Sequence, residues 1–159
     1  MTSYISLVIP IRDDYNDISS LLKKVLEQET KPFEVLLVDS SLIQLLINEE
    51  IQESFNIEKI KLIHIRSKPL TPGAARNLGI QKSKCEIIAF LDIKTLPPKN
   101  WLKEALYKIK TLNTIGVLGN TIYTASSQFE QCVRAATFGV KPIQTIPGSL
   151  FKRNIFNVV

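Results

Sequence analysis

Cysteine, histidine and long apolar runs are scarce in this chain, and each scarcity removes a class of protein. The 159 residues include two cysteines, Cys85 and Cys132, outside CxxC spacing, and a single histidine, His64. No zinc site of ordinary type is expected from that set, and a Ser-His or Cys-His catalytic pair would have to use His64. The cysteines are read as reduced thiols. His64 falls inside the alternating run Lys61-Leu62-Ile63-His64-Ile65-Arg66 and is read as a strand residue with no chemical role. Apolar runs such as Ile87-Ile88-Ala89-Phe90-Leu91 are far short of the roughly 18 residues that span a bilayer. No Lys or Arg precedes the apolar stretch Ile5 to Ile11 and no small-residue cleavage pattern follows it, so no secretory signal is expected and the reading is cytoplasmic. Also lacking are a GxGxxG after the first apolar run and a GxxxxGK[ST] anywhere, which excludes dinucleotide and P-loop phosphate cradles. A zinc finger, an RNP aromatic pair and a basic helix with interleaved aromatics are missing too, so no nucleic-acid partner is expected.

What is present is the composition of one globular domain, with 45% hydrophobic and 22% charged residues. At this length roughly 70% of the unfolded surface can be buried, enough for one core without metals or disulfides. The charge of +5 is uneven: residues 1–92 carry 11 Lys/Arg against 13 Asp/Glu, and residues 93–159 carry 9 against 2. The basic half favours an anion, either a phosphorylated substrate or an anionic membrane surface.

Along the chain, strand-like and helix-like patterns alternate. Ile5 to Pro10 is a strand, and the polar stretch Arg12 to Asn16, with Asp13 and Asp14, supplies its turn. Ile18, Leu21, Leu22, Val25 and Leu26 form the stripe of a first helix capped by Asn16 or Asp17. Phe33 to Val38 is nearly continuous apolar, as in a strand covered on both faces, and stops at Asp39-Ser40-Ser41. A second helix is read over Leu42 to Phe55, a third strand over Ile60 to Arg66, and a third helix opened by Thr71-Pro72. Glu86 to Leu91 is the fourth strand, ending at Asp92. Trp101, Leu102, Ala105, Leu106 and Ile109 mark a fourth helix, with Trp101 packing it on the sheet, and Ile115 to Tyr123 a fifth strand. Residues 125–139 fit helix or loop, and a short strand is read at 149–151. The alternation implies an α/β fold, a three-layer α/β/α sandwich with a mainly parallel sheet.

In such sheets ligands bind beyond the carboxyl ends of the strands, where strand order reverses. Those ends carry Pro10 and Arg12, Asp39, Arg66 and Lys68, and Asp92 and Lys94. A mixed acidic and basic rim suits a nucleotide, and the small residues of Thr71-Pro72-Gly73-Ala74-Ala75-Arg76-Asn77 allow phosphate to approach a helix N-terminus. A phospho-acceptor receiver needs an aspartate after strand three, where Arg66 stands.

Val8-Ile9-Pro10 with Tyr15-Asn16, Val35-Leu36-Leu37-Val38-Asp39-Ser40-Ser41, Pro72-Gly73-Ala74-Ala75-Arg76-Asn77-Leu78-Gly79-Ile80 and Ile88-Ala89-Phe90-Leu91-Asp92-Ile93-Lys94 occur in an order that resembles the family 2 glycosyltransferases of the GT-A fold. Gly148 to Arg153 resembles the segment before that family's catalytic region. The resemblance implies sugar transfer from a nucleotide-diphosphate donor to a hydroxyl acceptor. It places the strand-one loop, with Pro10 and Arg12, and Asp39 near the nucleoside, Arg76 near base or phosphate, and Asp92 at the start of the DxD motif. It divides the chain into a nucleotide-binding part, 1–110, and the start of an acceptor-side part, 111–159. A divalent cation, Mg or Mn, is usual in the family and is held by the last acid of DxD. Lys94 occupies that position, which leaves two readings: its ammonium meets the diphosphate where relatives place the metal, or the site has decayed and Lys94 is solvated. The family's catalytic carboxylate is expected downstream, and the sequence has no acid after Glu130. The alternative is a non-catalytic relative or N-terminal fragment that binds only nucleotide or a partner. The family's lipid-linked acceptors imply peripheral membrane contact by the basic half.

Overall fold

The computed structural model describes residues 5–13, 15–43, 45–125, 127–139 and 141–158. Its centre is a six-stranded sheet with strand order β3-β2-β1-β4-β6-β5. The strands are β1 (Ile5–Ile11), β2 (Glu34–Asp39), β3 (Lys61–Arg66), β4 (Ile87–Phe90), β5 (Gly116–Thr121) and β6 (Ile143–Lys152). The first four are parallel, and β6 runs antiparallel to both neighbours, β4 and β5.

The continuous apolar sequence of β2 follows from burial on both faces. Val35 and Leu37 enter the core shared with α1 (Tyr15–Leu26), α2 (Glu49–Ile57) and α4 (Trp101–Thr111), while Leu36 and Val38 enter a second core under α3 (Pro72–Lys82). Each fully buried Leu, Ile or Val contributes about 1.5–3 kcal/mol relative to exposure, so β1 and β2, which bury nearly every side chain, anchor the molecule. Trp101 packs against the first core as expected and donates from Nε1 to the Gly148 carbonyl at 2.8 Å. Thr71 caps α3, accepting from the Ala74 amide at 3.3 Å, with Pro72 in the first turn. Gly79 lets α3 lie close on the sheet, because a Cβ there would stand 2.3 Å from Val8 Cγ1.

Two expectations change and one open alternative closes as a helix. The second helix spans Glu49–Ile57 rather than starting at Leu42, because residues 42–43 and 45–48 are not helical, with Leu42 81% and Leu46 85% exposed. Residues 128–137 are a helix, α5 (Gln128–Thr137), closed at its start by a capping box between Ser127 and Glu130. The last strand is ten residues long, Ile143–Lys152, and is followed by a 3-10 segment, Arg153–Val158. Among the described residues no helix is long and apolar enough to cross a membrane.

Candidate active site

The central strands end side by side. Ile11 pairs with Asp39, and Asp39 pairs with Arg66, so three neighbouring tips carry the residues that follow. Beyond β1, Asp13 adopts φ 57°, a conformation aspartate tolerates. Its amide donates to Ser41 Oγ at 2.8 Å and its Oδ1 accepts from the Leu42 amide at 3.0 Å, which ties the β1 loop to the β2 loop. Ser40 is held from the same side, its amide donating to the Ile11 carbonyl at 2.9 Å. Asp14 lies outside the described residues.

A cleft of about 290 Å³ opens between the tips of β1 and β4 and the first turn of α3. Ile11, Leu70, Pro72, Ala75 and Ile93 give it apolar walls, and Pro10, Arg12, Ser40, Asp92 and Lys94 complete the lining. Asp92 Oδ1 accepts from Arg76 NH2 at 2.5 Å, with the arginine side chain 17% and the aspartate side chain 42% exposed. Arg76 Nε is buried with no hydrogen-bond partner among the described residues. The turn after Asp92 closes through the Thr95 amide, which donates to the Asp92 carbonyl at 2.9 Å. The first turn of α3 borders this space through Pro72 and Ala75.

Pro10, Arg12, Asp92 and Lys94 therefore meet in one cleft, and Arg76 joins them through its ion pair. Asp39 sits at the adjoining strand tip, yet its carboxylate does not line the cleft. Alternation along β2 puts its side chain on the face of Val35 and Leu37, where it is fully buried. Oδ1 accepts from the Ser41 amide at 3.0 Å, and Oδ2 lies 3.2 Å from the Leu45 amide, 3.1 Å from His64 Nε2 and 2.9 Å from Arg66 NH1. Burial by itself would push this carboxyl up, but hydrogen bonds from Ser41, Leu45 and His64 outweigh it and hold the pKa at about 2. Arg66 also donates to the Leu42 carbonyl at 3.2 Å. A second cavity of about 310 Å³, lined by Leu45, Gln52, Asn56, Leu62 and His64 among others, lies on that face.

His64 was given no role, and Arg66 was expected on the ligand rim rather than on the Asp39 carboxylate. Their signal lies in register: with Asp39 opposite Arg66 and Leu37 opposite His64, both side chains share the face of the Asp39 carboxylate.

An open sheet with this strand order and a polar cleft at its carboxyl edge defines a GT-A-type α/β protein. The model for "Glycosyl transferase family 2" matches residues 6–156, and the chain belongs to that family. It is 30% identical to an uncharacterized glycosyltransferase of Rickettsia conorii over 96% of this chain and 23% of that protein. It is 29% identical to the glycosyltransferase AglE of Haloferax volcanii over 98% of this chain and 51% of that protein. The chain thus spans about a quarter and about half of the length of these two curated relatives. Among solved structures, S. aureus TarS 1-349 in complex with UDP superposes with a TM-score of 0.69 at 18% identity, covering 98% of this chain and 48% of that one. The mannosyltransferase PcManGT of Pyrobaculum calidifontis, in complex with GDP-Man and Mn2+, superposes with a TM-score of 0.64 at 16% identity over 99% and 47% of the two chains.

The family implies a divalent cation, and the donor set in this cleft does not fit one. Hard divalent cations take about six oxygen ligands, usually including more than one carboxylate. Among the described residues Asp92 is the one carboxylate lining the cleft, it already bears the Arg76 guanidinium, and Lys94 stands two residues on. Among the described residues no group of three His, Cys, Asp or Glu could hold a metal.

Proposed function

We propose that this chain is the donor-binding part of a glycosyltransferase, taking a nucleotide-diphospho-sugar into the β1–β4–α3 cleft for transfer to a hydroxyl acceptor. The observation that carries the reading is the cleft itself, whose apolar wall suits a nucleoside while Arg12, Lys94 and the Arg76–Asp92 pair offer charge for a diphosphate and a sugar. The UDP and UDP-GlcNAc complexes of TarS and the GDP-Man complex of PcManGT support the same ligand class.

In this reading Pro10 and Arg12 flank the nucleoside, and Arg76 anchors Asp92, whose free oxygen accepts from a ribose or sugar hydroxyl. Asp39 acts one step away, fixing the Ser40-Ser41 backbone that forms the cleft's edge. In transfer, the acceptor oxygen bonds to the anomeric carbon as the bond from that carbon to the diphosphate breaks. The acceptor proton passes to a general base, and the nucleoside diphosphate leaves. No residue of this chain is assigned that base. Residues 1–110 carry the donor site and 111–159 begin the acceptor side. The reading places the protein in the cytoplasm, with the basic half against an anionic membrane that carries the acceptor.

A coupled assay for nucleoside diphosphate release, run with a panel of UDP- and GDP-sugars, tests the reading. Release above the rate of spontaneous hydrolysis with at least one donor supports it. Absence of both release and binding across the panel contradicts it. Sedimentation with phosphatidylserine and phosphatidylcholine vesicles tests the membrane contact, and equal partition between the two would remove it.

A further inference from the structure

We infer that this cleft neutralises the diphosphate of its nucleotide with the side chains of Lys94 and Arg12, without a bridging divalent cation, an inference that rests on the donor-binding reading above. Lys94 and Arg12 both line the cleft, and each follows a buried anchor. Ile93 is 6% exposed and Ile11 is 1% exposed, so the backbone that presents each cation is fixed by core packing. The two come from different strand tips, those of β4 and β1, and the first turn of α3 contributes Pro72 and Ala75 to the space between. An anion entering there meets two side-chain cations from different strand tips.

The Asp92 carboxylate, the metal ligand this cleft could offer, already faces a cation of the protein. Arg76 is 17% exposed and lies on Asp92 Oδ1 at 2.5 Å, which compensates that carboxylate before any ligand arrives. A divalent ion approaching Asp92 would meet a carboxylate that already holds the Arg76 guanidinium, in a cleft also lined by Arg12 and Lys94, with no further carboxylate in the lining among the described residues. A diphosphate meets the opposite situation, because among the described lining residues the ionised side chains other than Asp92, those of Arg12 and Lys94, are cationic. Lysine serves such a site as a point charge that needs no fixed geometry, which suits the exposed position of Lys94.

Isothermal titration with UDP and with GDP, each in EDTA and again in MnCl2, tests this directly. For the nucleotide that binds, the Kd in EDTA should lie within about threefold of that in Mn2+. Lys94→Ala should raise the Kd in EDTA roughly tenfold, the loss of one charge-assisted phosphate contact. Lys94→Asp, which sets a second carboxylate beside Asp92, should abolish binding in EDTA and regain it in Mn2+. Far-UV circular dichroism checks that these exposed-site variants keep the fold. Wild-type binding that needs Mn2+, or an unchanged Kd in Lys94→Ala, overturns the inference and leaves the donor site standing. No binding of either nucleotide under both conditions overturns the two together.

Discussion

Two aspartates end neighbouring parts of the sheet, each in contact with an arginine, and they are built for different work. Asp39 is fully buried, and its two oxygens serve two backbone amides, an imidazole and the Arg66 guanidinium. Asp92 is 42% exposed in its side chain, and Arg76 holds one of its oxygens in the cleft. A carboxylate whose lone pairs are all engaged inside the protein shapes the backbone around it. One with an oxygen left over toward a cleft is available to a ligand. The same residue type at the same kind of strand end thus differs in how fully it is satisfied, and in the proposed donor site that difference leaves Asp92 to meet the ligand and Asp39 to hold the backbone.

The sharpest way to break this contrast is to remove the saturated carboxylate. Asp39→Ala leaves Arg66 and His64 without their partner and releases the Ser41 and Leu45 amides, and it should cost about 3 kcal/mol in urea unfolding. Next in size, Gly79→Ala forces a Cβ into Val8, 2.3 Å away, and should cost about 2 kcal/mol while displacing Arg76 with α3. The same denaturation series reads the loss, and nucleotide titration should show a weakened site. Asp92→Asn inverts the pattern: a half-exposed ion pair contributes under about 1 kcal/mol to stability, whereas donor affinity should fall roughly tenfold. The smallest effect belongs to His64→Gln, which exchanges one of four contacts on Asp39 and should cost about 1 kcal/mol with nucleotide affinity unchanged.

Acid sharpens the comparison further. Asp39 is held at a pKa of about 2, below its unfolded value of roughly 3.9, so its contribution to stability is complete above that unfolded value and is lost as pH falls through about 2. Urea midpoints between pH 5 and pH 2 should fall in the wild type, and the part of that slope owed to Asp39 should be missing in Asp39→Asn.

The parallel core was legible because burial on two faces leaves a plain signature. Ile5 to Pro10 and Phe33 to Val38 stand within a residue of β1 and β2, and Thr71-Pro72 opens α3 where expected. The second helix was overread because Leu42, Leu45 and Leu46 supply apolar spacing, but Asp39 draws the Leu45 amide to itself and holds the chain in a loop. The Ser127–Glu130 capping box was present in the sequence and marks the start of α5, yet a helix that buries no side chain lacks the periodic signal of a core-facing one. At the site, Pro10, Arg12, Asp92 and Lys94 converge because strand-end position alone places them. The direction of the Asp39 side chain depended on face parity and on cross-strand register with β3, which local spacing does not encode.

Crystallising the protein with UDP or GDP, whichever binds, is the most direct measurement. The account predicts the diphosphate between Arg12 and Lys94, beside the Arg76–Asp92 pair, with the Asp39 carboxylate still bound to Arg66 and His64. A nucleotide lodged instead in the cavity beside His64, or drawing Asp39 out of its network to reach the base, would contradict it.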